Sequence, residues 1–511
     1  MHVEILTGPT CVRWHFQVAR ACEQASFAAA ISPGARGGEK IAGLDLLLAF
    51  ERLVYRAPEC ALQAVAMDAG PAVDATFVVD LCGDTKLQAF PESKAKSHEG
   101  APVIRPLYDG SPDPAAAIYA LLERRAPKIS VELRDAHGVR IVGQGAIGLR
   151  DRRILSFGLN ETFARVTSLL VRALRDLRDG IRPAALSPPP EVRAKNSPVV
   201  FAGGAFAEKI VAKLLTQMST RADHWRVAFR RLRDDGVMEG LRWPQAPWTI
   251  LPDDGRRYYA DPFVIVRDGR THLFVEEFPY STGKGILGCA TIGADGKVGA
   301  VKPVLESSGH LSYPQVFERD GQVYMIPESC AERRIALYRA ERFPDRWTLD
   351  CVLVDDVEAS DATLLEHAGR FWLFAALSDG GASSWDALGL FFADDLRGPW
   401  RAHPRNPVLV DVCAARPGGA ISARDESLLR VAQDCSSFYG GGMTICRIDA
   451  LDPENYAQSI LTRLAPPESL GAIAAHTLNR CGDFEAIDFH AEPMRRGLGR
   501  VFARSPGVPA G

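Results

Sequence analysis

Three stretches of this 511-residue chain repeat one pattern around a turn glycine, and no other feature narrows the fold so far. ADPFVIVRDGRTHLFVEE turns at Gly269, SYPQVFERDGQVYMIPES at Gly321 and SDATLLEHAGRFWLFAAL at Gly369. Each reads as an apolar strand, a tight turn and an aromatic strand, which is a β-hairpin. The glycines stand 52 and 48 residues apart, near the blade period of a propeller, about 40–50 residues. Weaker copies follow at ARPGGAISARDESLLRVAQD (415–434) and at AAHTLNRCGDFEAIDF (474–489), the second turning at Gly482. The count is five blades. HWRVAFRRL (224–232) precedes the first copy and is expected to supply the outer strand that closes the ring, since an open sheet edge invites non-native pairing.

In a propeller the first strand of each blade begins at one mouth of the channel, and the second returns to it. Eight residues before the turn glycines stand Asp261, Tyr313 and Asp361; seven after them stand Glu276, Glu328 and Ala376. The same placement brings Arg416, Gln433 and Asp434 from blade four, and His476 and Asp488 from blade five. Glu276 and Glu277 are strand neighbours pointing to opposite faces, so at most one of them faces the mouth. Carboxylates with Arg and His around a concave mouth are the equipment of sugar chemistry. Plainer readings stand beside this one. Asp261 precedes Pro262, and Asp-Pro starts turns; Arg416 is equally a salt-bridge partner, and His476 a core histidine. Glu328 ends the apolar run VYMIP, where a carboxylate is costly unless paired or used.

Residues 1–180 have a different periodicity. VEIL (3–6) and ATFVVDL (75–81) read as strands, KISVELRD and GVRIVGQGAI as a hairpin. WHFQVARACEQ, DPAAAIYALLER (113–124) and residues 161–180 read as helices, the last with an apolar stripe at Phe163, Val166, Leu169, Leu170, Leu174 and Leu177. Strands alternating with helices predict an α/β, Rossmann-like layer domain. Residues 181–222 form a linker with three consecutive prolines and one helical piece (205–218), and 223–511 the all-β propeller.

Composition excludes several classes of function. Apolar residues make up 47% and charged residues 24%, as in ordinary globular proteins. With a net charge of −3 and no basic run interleaved with aromatics, a nucleic-acid partner is not expected. Eleven cysteines, an odd number with no Cys-x-x-Cys pair, predict a reducing, cytoplasmic compartment. MHVEILTGPTCVRWHF lacks the pattern of a secretory signal, and no apolar window is long enough to predict a membrane span. Gly-x-Ser-x-Gly, P-loop and His-Glu-x-x-His motifs are absent; PGARGG (33–38) is a weak candidate phosphate cradle.

HWRVAFR, the stretch TILPDDGRRYYADPF, HLSYPQVFERDGQVYMIPES, FPDRW, SDATLLEHAGRFWLF, GPWRAHPRNPV, ARPGG, LLRVAQD and AHTLN resemble the amino-terminal propeller domain of glucosamine inositolphosphorylceramide transferases. The resemblance covers about residues 222–490 and implies a five-bladed propeller in glycan or glycolipid assembly. More distantly the segment is similar to arabinanase and β-xylosidase propellers. That likeness implies an Asp base in blade one and a pKa-tuning Asp in blade three, which Asp261 and Asp361 match. It also implies a Glu acid from blade four, where this chain has Ala415-Arg416-Pro417, with Glu426 in the following turn. The first domain resembles formyltransferases acting on sugar-nucleotide amines, through FVVDLCGD (77–84) and VIRPLYDGSPDPAAAIYALLE (103–123). Those enzymes rely on an Asn, a His and an Asp, yet no histidine lies between His15 and His98 here, so a degraded site with a scaffold or binding role is expected.

The expected function is transfer or cleavage of a glycosyl unit from a sugar, sugar-nucleotide or glycan substrate. Asp261 would be the general base, Glu328 the proton donor, and Asp361 the group that orients hydroxyls and raises the donor's pKa. Arg416 would hold a carboxylate or phosphate, with Glu276, Tyr313, Gln433, Asp434 and His476 binding substrate. No cofactor is expected; calcium in the channel is compatible with the oxygen donors there, although no spacing demands it. The rival reading is a non-catalytic glycan-binding module in which Tyr258, Tyr259, Tyr313 and Trp385 stack on sugar faces. Formyl or acyl transfer to an amino sugar by the first domain is a third reading.

Overall fold

Gly269, Gly321 and Gly369 have φ of 70°, 75° and 73°, and the residues before them, Asp268, Asp320 and Ala368, have 49°, 51° and 52°. Two successive left-handed residues make the type I′ turn, whose twist matches that of the strands it joins. The computed structural model describes residues 1–34, 37–66, 75–83, 100–181, 185–187, 192, 196–218, 224–233, 235–424 and 427–491. The chain divides into two units, Met1–Thr220 with Asp379–Ser383, and Arg221–Ser378 with Ser384–Gly511.

The first unit is built on a six-stranded sheet of order β2-β1-β3-β4-β5-β6. Its strands are β1 (His2–Thr7), β2 (Ala28–Pro33), β3 (Phe77–Asp80), β4 (Val103–Tyr108), β5 (Lys128–Asp135) and β6 (Gly138–Ala146). The first four are parallel, and β5 and β6 add an antiparallel hairpin, so this is a mixed α/β sheet. The helices are α1 (Arg13–Gln24), α2 (Leu44–Tyr55), α3 (Pro114–Leu122), α4 (Leu155–Arg178) and α5 (Pro198–Met218). Five of the six stripe residues of α4 lie in the core, with Phe163, Val166, Leu170 and Leu174 fully buried, while Leu177 near the helix end is half-buried. Asp113 caps α3 by accepting a hydrogen bond from the Ala115 amide at 2.9 Å. Sequence reading missed β2 and α2: AAAISP has little β-branched character, and α2 is apolar nearly all round.

The second unit is a five-bladed propeller. Blade one holds β9 (Arg257–Arg267), β10 (Arg270–Pro279), β11 (Ile286–Ile292) and β12 (Lys302–Leu305). Blade two holds β13 (Ser312–Arg319), β14 (Gln322–Glu328), β15 (Arg334–Arg342) and β16 (Arg346–Asp355). Blade three holds β17 (Ala359–His367), β18 (Arg370–Leu377), β19 (Ala387–Ala393), β20 (Arg401–Ala402) and β21 (Leu409–Val410). Blade four holds β22 (Ser422–Arg424), β23 (Ser427–Gln433), β24 (Met443–Leu451) and β25 (Tyr456–Leu464). Blade five joins β26 (Ala472–Ala474), β27 (Leu478–Cys481) and β28 (Phe484–Ala491) to β7 (Trp225–Arg231) and β8 (Thr249–Ile250) from the start of the unit. HWRVAFRRL therefore closes the ring as the third strand, and β8 rather than β7 lies outermost.

Five apolar clusters hold the ring together, one for each pair of neighbouring blades. The cluster that seals it packs Val227, Phe229 and Phe484 of blade five against Val264, Leu273 and Val275 of blade one. Burial of each such aliphatic or aromatic side chain stabilises the fold by roughly 1.5–3 kcal/mol. Every interface thus depends on the apolar faces that make the repeat visible in the sequence.

Candidate active site at the propeller mouth

The site begins with a backbone irregularity repeated in three blades. Ala260 pairs with Glu276 and Phe263 with Phe274, so Asp261 and Pro262 together oppose one residue. Ser312 pairs with Glu328 and Gln315 with Ile326; Ser360 pairs with Ala376 and Thr363 with Phe374. Each inner hairpin therefore carries a β-bulge at one register, and its first residue is left-handed: Asp261, Tyr313 and Asp361 have φ of 49°, 45° and 54°. Left-handed backbone at a non-glycine residue costs about 1–3 kcal/mol and clusters at functional sites. The bulge turns each of these residues out of the ladder. The two aspartates become the centres of two buried ion-pair networks.

Asp261 belongs to the first. Its Oδ1 lies 3.0 Å from His476 Nε2 and accepts a hydrogen bond from Thr477 Oγ1 at 2.7 Å; its Oδ2 accepts the Tyr313 amide at 3.2 Å. Asp488 supports the arrangement from blade five. Its Oδ1 accepts the amides of His476 (3.0 Å) and Thr477 (2.9 Å), its Oδ2 accepts the Asp261 amide (2.9 Å), and that Oδ2 stands 3.2 Å from His476 Nε2. Burial alone would raise Asp261, but the His476 charge, helped by Thr477 and Arg416, outweighs it and holds the carboxyl below its ordinary value. Burial works against the charged form of His476 too, yet Asp488 and Asp261 keep it above its ordinary value. Asp488 is pushed up by burial, which exceeds the pull of His476 and the amides.

Asp361 and Arg416 form the second network. Arg416 Nε is 2.8 Å from Asp361 Oδ2 in the alignment of an ion pair rather than a hydrogen bond, and both side chains are buried. Gln433 Nε2 donates to the same Oδ2 at 2.7 Å and to the Pro417 carbonyl at 2.8 Å. Arg416 Nη1 donates to Ser384 Oγ at 2.7 Å, and the guanidinium lies 5.2 Å from the Tyr439 ring centroid. Glu328 Oε2 accepts the Asp361 amide at 3.3 Å. Burial first, and the Asp361 carboxylate second, raise Glu328 well above its ordinary value, against a smaller opposing pull from Arg416. Glu276 is raised in the same direction by burial and by Asp261 and Glu328; His310 Nε2 lies 3.4 Å from its Oε1, and burial lowers that histidine.

The ring therefore holds carboxyls pushed in opposite directions, Asp261 toward its ionised form and Glu276 and Glu328 toward their protonated forms, together with two engaged cations. Asp261, Glu328, Asp361, Glu276, Arg416, Gln433 and His476 come together as their register in the sequence implies. Tyr313 contributes its amide, while its ring packs edge-on against Phe263 (4.8 Å) and its hydroxyl meets Thr363 Oγ1 at 2.9 Å. Asp434 lies elsewhere. Strand alternation after Gln433 turns it away from Asp361, and it pairs with Arg463, whose Nε is 2.8 Å from Asp434 Oδ2. Glu277 is the outward member of its pair and meets Arg257. Glu426 is outside the described residues.

Sequence reading missed Tyr439, Trp225, Ser384 and His310. Tyr439 stands between Arg416 and His476, 5.2 Å from the His476 ring and 6.0 Å from Trp385, and Trp225 meets His476 edge-on at 4.3 Å. Tyr439 sits on the loop that joins β23 to β24, outside the hairpins that repeat, so the repeat gave no signal for it. Tyr258 stacks on Phe278 at 4.8 Å with planes 5° apart, and Tyr259 is buried. The donor atoms of Asp261, His476 and Asp488 lie within 4.8 Å of one another, close enough for a metal. They do not fit calcium: His476 Nε2 is shared by both carboxylates, and four main-chain N–H groups plus the Thr477 hydroxyl already occupy the oxygens. In the first unit, Gly38 packs against Asp113, whose Oδ2 accepts the Glu39 amide, which is no setting for a phosphate; residues 35–36 of that loop are outside the described residues.

Residues 253–475 match the family model described as "Glucosamine inositolphosphorylceramide transferase 1, N-terminal". The chain is 34% identical over 226 residues to glucosamine inositolphosphorylceramide transferase 1 of Oryza sativa subsp. japonica, covering 42% of this chain and 30% of that protein. It is 33% identical over 205 residues to the Arabidopsis thaliana protein of that name, covering 39% and 27%. The match thus spans less than a third of the curated relatives' length. Among solved structures it is similar to an exo-β-1,3-galactanase of Clostridium thermocellum (TM-score 0.34, 14% identity, 48% of this chain and 60% of that one). It is also similar to the catalytic domain of a Coprinopsis cinerea α-L-arabinofuranosidase (TM-score 0.36, 13% identity, 54% and 94%).

Proposed function

We propose that the propeller mouth is a sugar site of glycan or glycolipid biosynthesis, and that it transfers or cleaves a glycosyl unit. One observation carries this reading: within one ring Asp261 lies 3.0 Å from His476, which favours its carboxylate, while Glu328 accepts the Asp361 amide at 3.3 Å in a setting where burial and Asp361 favour its protonated form. Paired carboxyls pushed apart in this way are what acid–base chemistry at a glycosidic oxygen requires. Asp261 takes the proton of an acceptor hydroxyl or water, and Glu328 gives its proton to the leaving oxygen. Asp361 keeps that proton on Glu328, while Arg416 and Gln433 hold Asp361 in place. The relatives' name, glucosamine inositolphosphorylceramide transferase 1, agrees with a sugar carried on a lipid.

The test is a thermal-shift screen with sugar nucleotides, free sugars and oligosaccharides, on the wild type and Asp261→Asn. A ligand well above its Kd raises the melting temperature by mass action, so a sugar hit with turnover that Asp261→Asn abolishes supports the assignment. Turnover retained by Asp261→Asn defeats it.

A second reading has an observation of its own. The match covers 30% of the rice relative, which leaves room for the relatives' chemistry outside the matched segment. On that reading the mouth holds a glycan and another protein or domain reacts with it; sugar binding by the wild type without turnover favours it. The first unit is proposed to be a formyltransferase-like α/β scaffold. Its one deeply buried histidine among the described residues, His15, accepts the Val12 amide at 3.3 Å and is pushed down to about 4 by burial, which suits a structural role. A cytoplasmic location is proposed on the odd number of cysteines and the lack of a Cys-x-x-Cys pair in the sequence. Among the described residues no helix is long and apolar enough to cross a membrane.

A further inference from the structure

Asp434 belongs to a second feature of the mouth side. β23 ends at this rim, β24 begins there and β25 ends there, so the tips of three consecutive strands of blade four surround a hollow of about 290 Å³. Ligand pockets begin at about 300 Å³, so the hollow has room for a single small ring. Its polar wall is Asp434, Ser436, Ser437 and Arg463; its apolar floor is Leu464 and Ala465.

The wall is ordered by its own bonds. Asp434 Oδ1 accepts the Ser436 amide at 3.0 Å, and Oδ2 receives both Nε and Nη2 of Arg463, at 2.8 and 2.5 Å. Arg463 Nη2 also donates to Ser436 Oγ at 3.1 Å. The floor is fixed from behind, where Trp243 Nε1 donates to the Ala465 carbonyl at 2.5 Å. Asp434 is nearly buried, whereas Arg463 is half exposed and so presents a guanidinium edge to whatever enters. An aligned carboxylate and guanidinium offer acceptors and donors side by side, the pattern that matches neighbouring hydroxyls on one ring. Leu464 and Ala465 suit that ring's C–H face. With the two charges paired, the wall is near neutral and favours a polyol over an anion.

The hollow adjoins the acidic ring. Gln433 turns inward and holds Asp361, and the next residue, Asp434, turns outward into the hollow. The loop that follows returns Tyr439 over Arg416 and His476 before Gly441 and Gly442 line the hollow. One loop thus forms the wall between the two places. We infer that this hollow is a subsite for the hydroxylated ring, a second sugar or a cyclitol, next to the one bound at Asp261 and Glu328. The inference rests on the sugar-binding reading of the mouth.

The experiment is calorimetric titration of the full chain, wild type and Arg463→Ala, with three probes: glucosamine, myo-inositol, and glucosaminyl-inositol, which joins the two rings. Unchanged melting temperature of the variant checks its fold. The wild type is expected to bind the two-ring probe more tightly than either ring alone, and Arg463→Ala to lose about tenfold of that advantage, the effect of one charge-assisted hydrogen-bonding group. Asp434→Asn, which keeps the shape of the wall, is expected to lose affinity in the same direction. A two-ring probe held equally by the wild type and both variants overturns the subsite while leaving the mouth reading intact. One-ring binding with no two-ring advantage in the wild type does the same. If no probe binds the wild type, both the reading and the subsite fall.

Discussion

Replacing Arg416 by methionine removes the cation of the Asp361 network while keeping most of the side-chain volume. The side chains of Arg416 and Asp361 are 8% and 3% exposed, so the lost charge leaves a buried carboxylate with Gln433 as its remaining donor. Breaking a buried pair in this way costs about 3–5 kcal/mol. A domain of this size shifts its melting temperature by about 2–4 °C per kcal/mol, so Arg416→Met should melt about 6–20 °C below the wild type. Asp361→Asn alone leaves Arg416 uncompensated and should also destabilise. In the double variant no buried charge remains, and such replacements are often neutral, so it should melt above Arg416→Met. The surface pair Arg333–Asp356 is a control: at 2.8 Å, but 50% and 84% exposed, it should shift stability by less than about 1 kcal/mol when Arg333 becomes alanine. Calorimetry of the four propeller variants and the wild type reads all these terms. Additive losses in the Arg416→Met, Asp361→Asn pair, or an Arg416→Met loss no larger than the surface control, would refute the reasoning.

Three further outcomes follow from the same contacts. His476 is held above its ordinary value, so the stability it contributes is fully present below about pH 6.5 and is lost as pH rises through its folded value. His476→Gln should flatten the decline of melting temperature with pH in that window, and a variant with the wild-type slope would place the titration elsewhere. Gly419 has φ 148°, and a Cβ there would stand 2.0 Å from the Leu478 carbonyl oxygen, so Gly419→Ala should destabilise by about 4 kcal/mol or more by denaturant titration; a near-neutral variant would contradict this close approach of blades four and five. Gly321→Ala at the blade-two turn, where φ is 75° and nothing crowds the site, should cost only the left-handed penalty of about 1–2 kcal/mol.

The propeller was legible because its interfaces and its turns leave marks in the chain. Asp268-Gly269 and Asp320-Gly321 specify type I′ turns, and the strands around them alternate toward the clusters that join the blades. Register from those glycines also placed Asp261, Tyr313 and Asp361 at one level of the mouth, though not the bulges they occupy. What was hidden depends on contacts distant in sequence. Arg416 and Asp361 are 55 residues apart, and which cation meets which acid is decided by how blades three and four pack. Asp434 carries the same chemistry as its neighbours, but strand alternation sends it to the other side of Gln433. Tyr439 and His310 lie on connections that the repeat does not constrain. In the first unit, β2 was hidden because AAAISP lacks the alternation and β-branched residues of a half-buried strand, and α2 because it carries Leu46, Phe50 and Leu53 on its exposed side.

The central claim is that Glu328 keeps its proton at neutral pH while Asp261 does not. Infrared difference spectra of the wild type against Glu328→Gln and against Asp261→Asn test it directly, because protonated and ionised carboxyls absorb in separate bands. The expected result is loss of a protonated-carboxyl band in Glu328→Gln and of a carboxylate band in Asp261→Asn. Loss of carboxylate bands in both would leave the mouth without its proton donor and contradict the account.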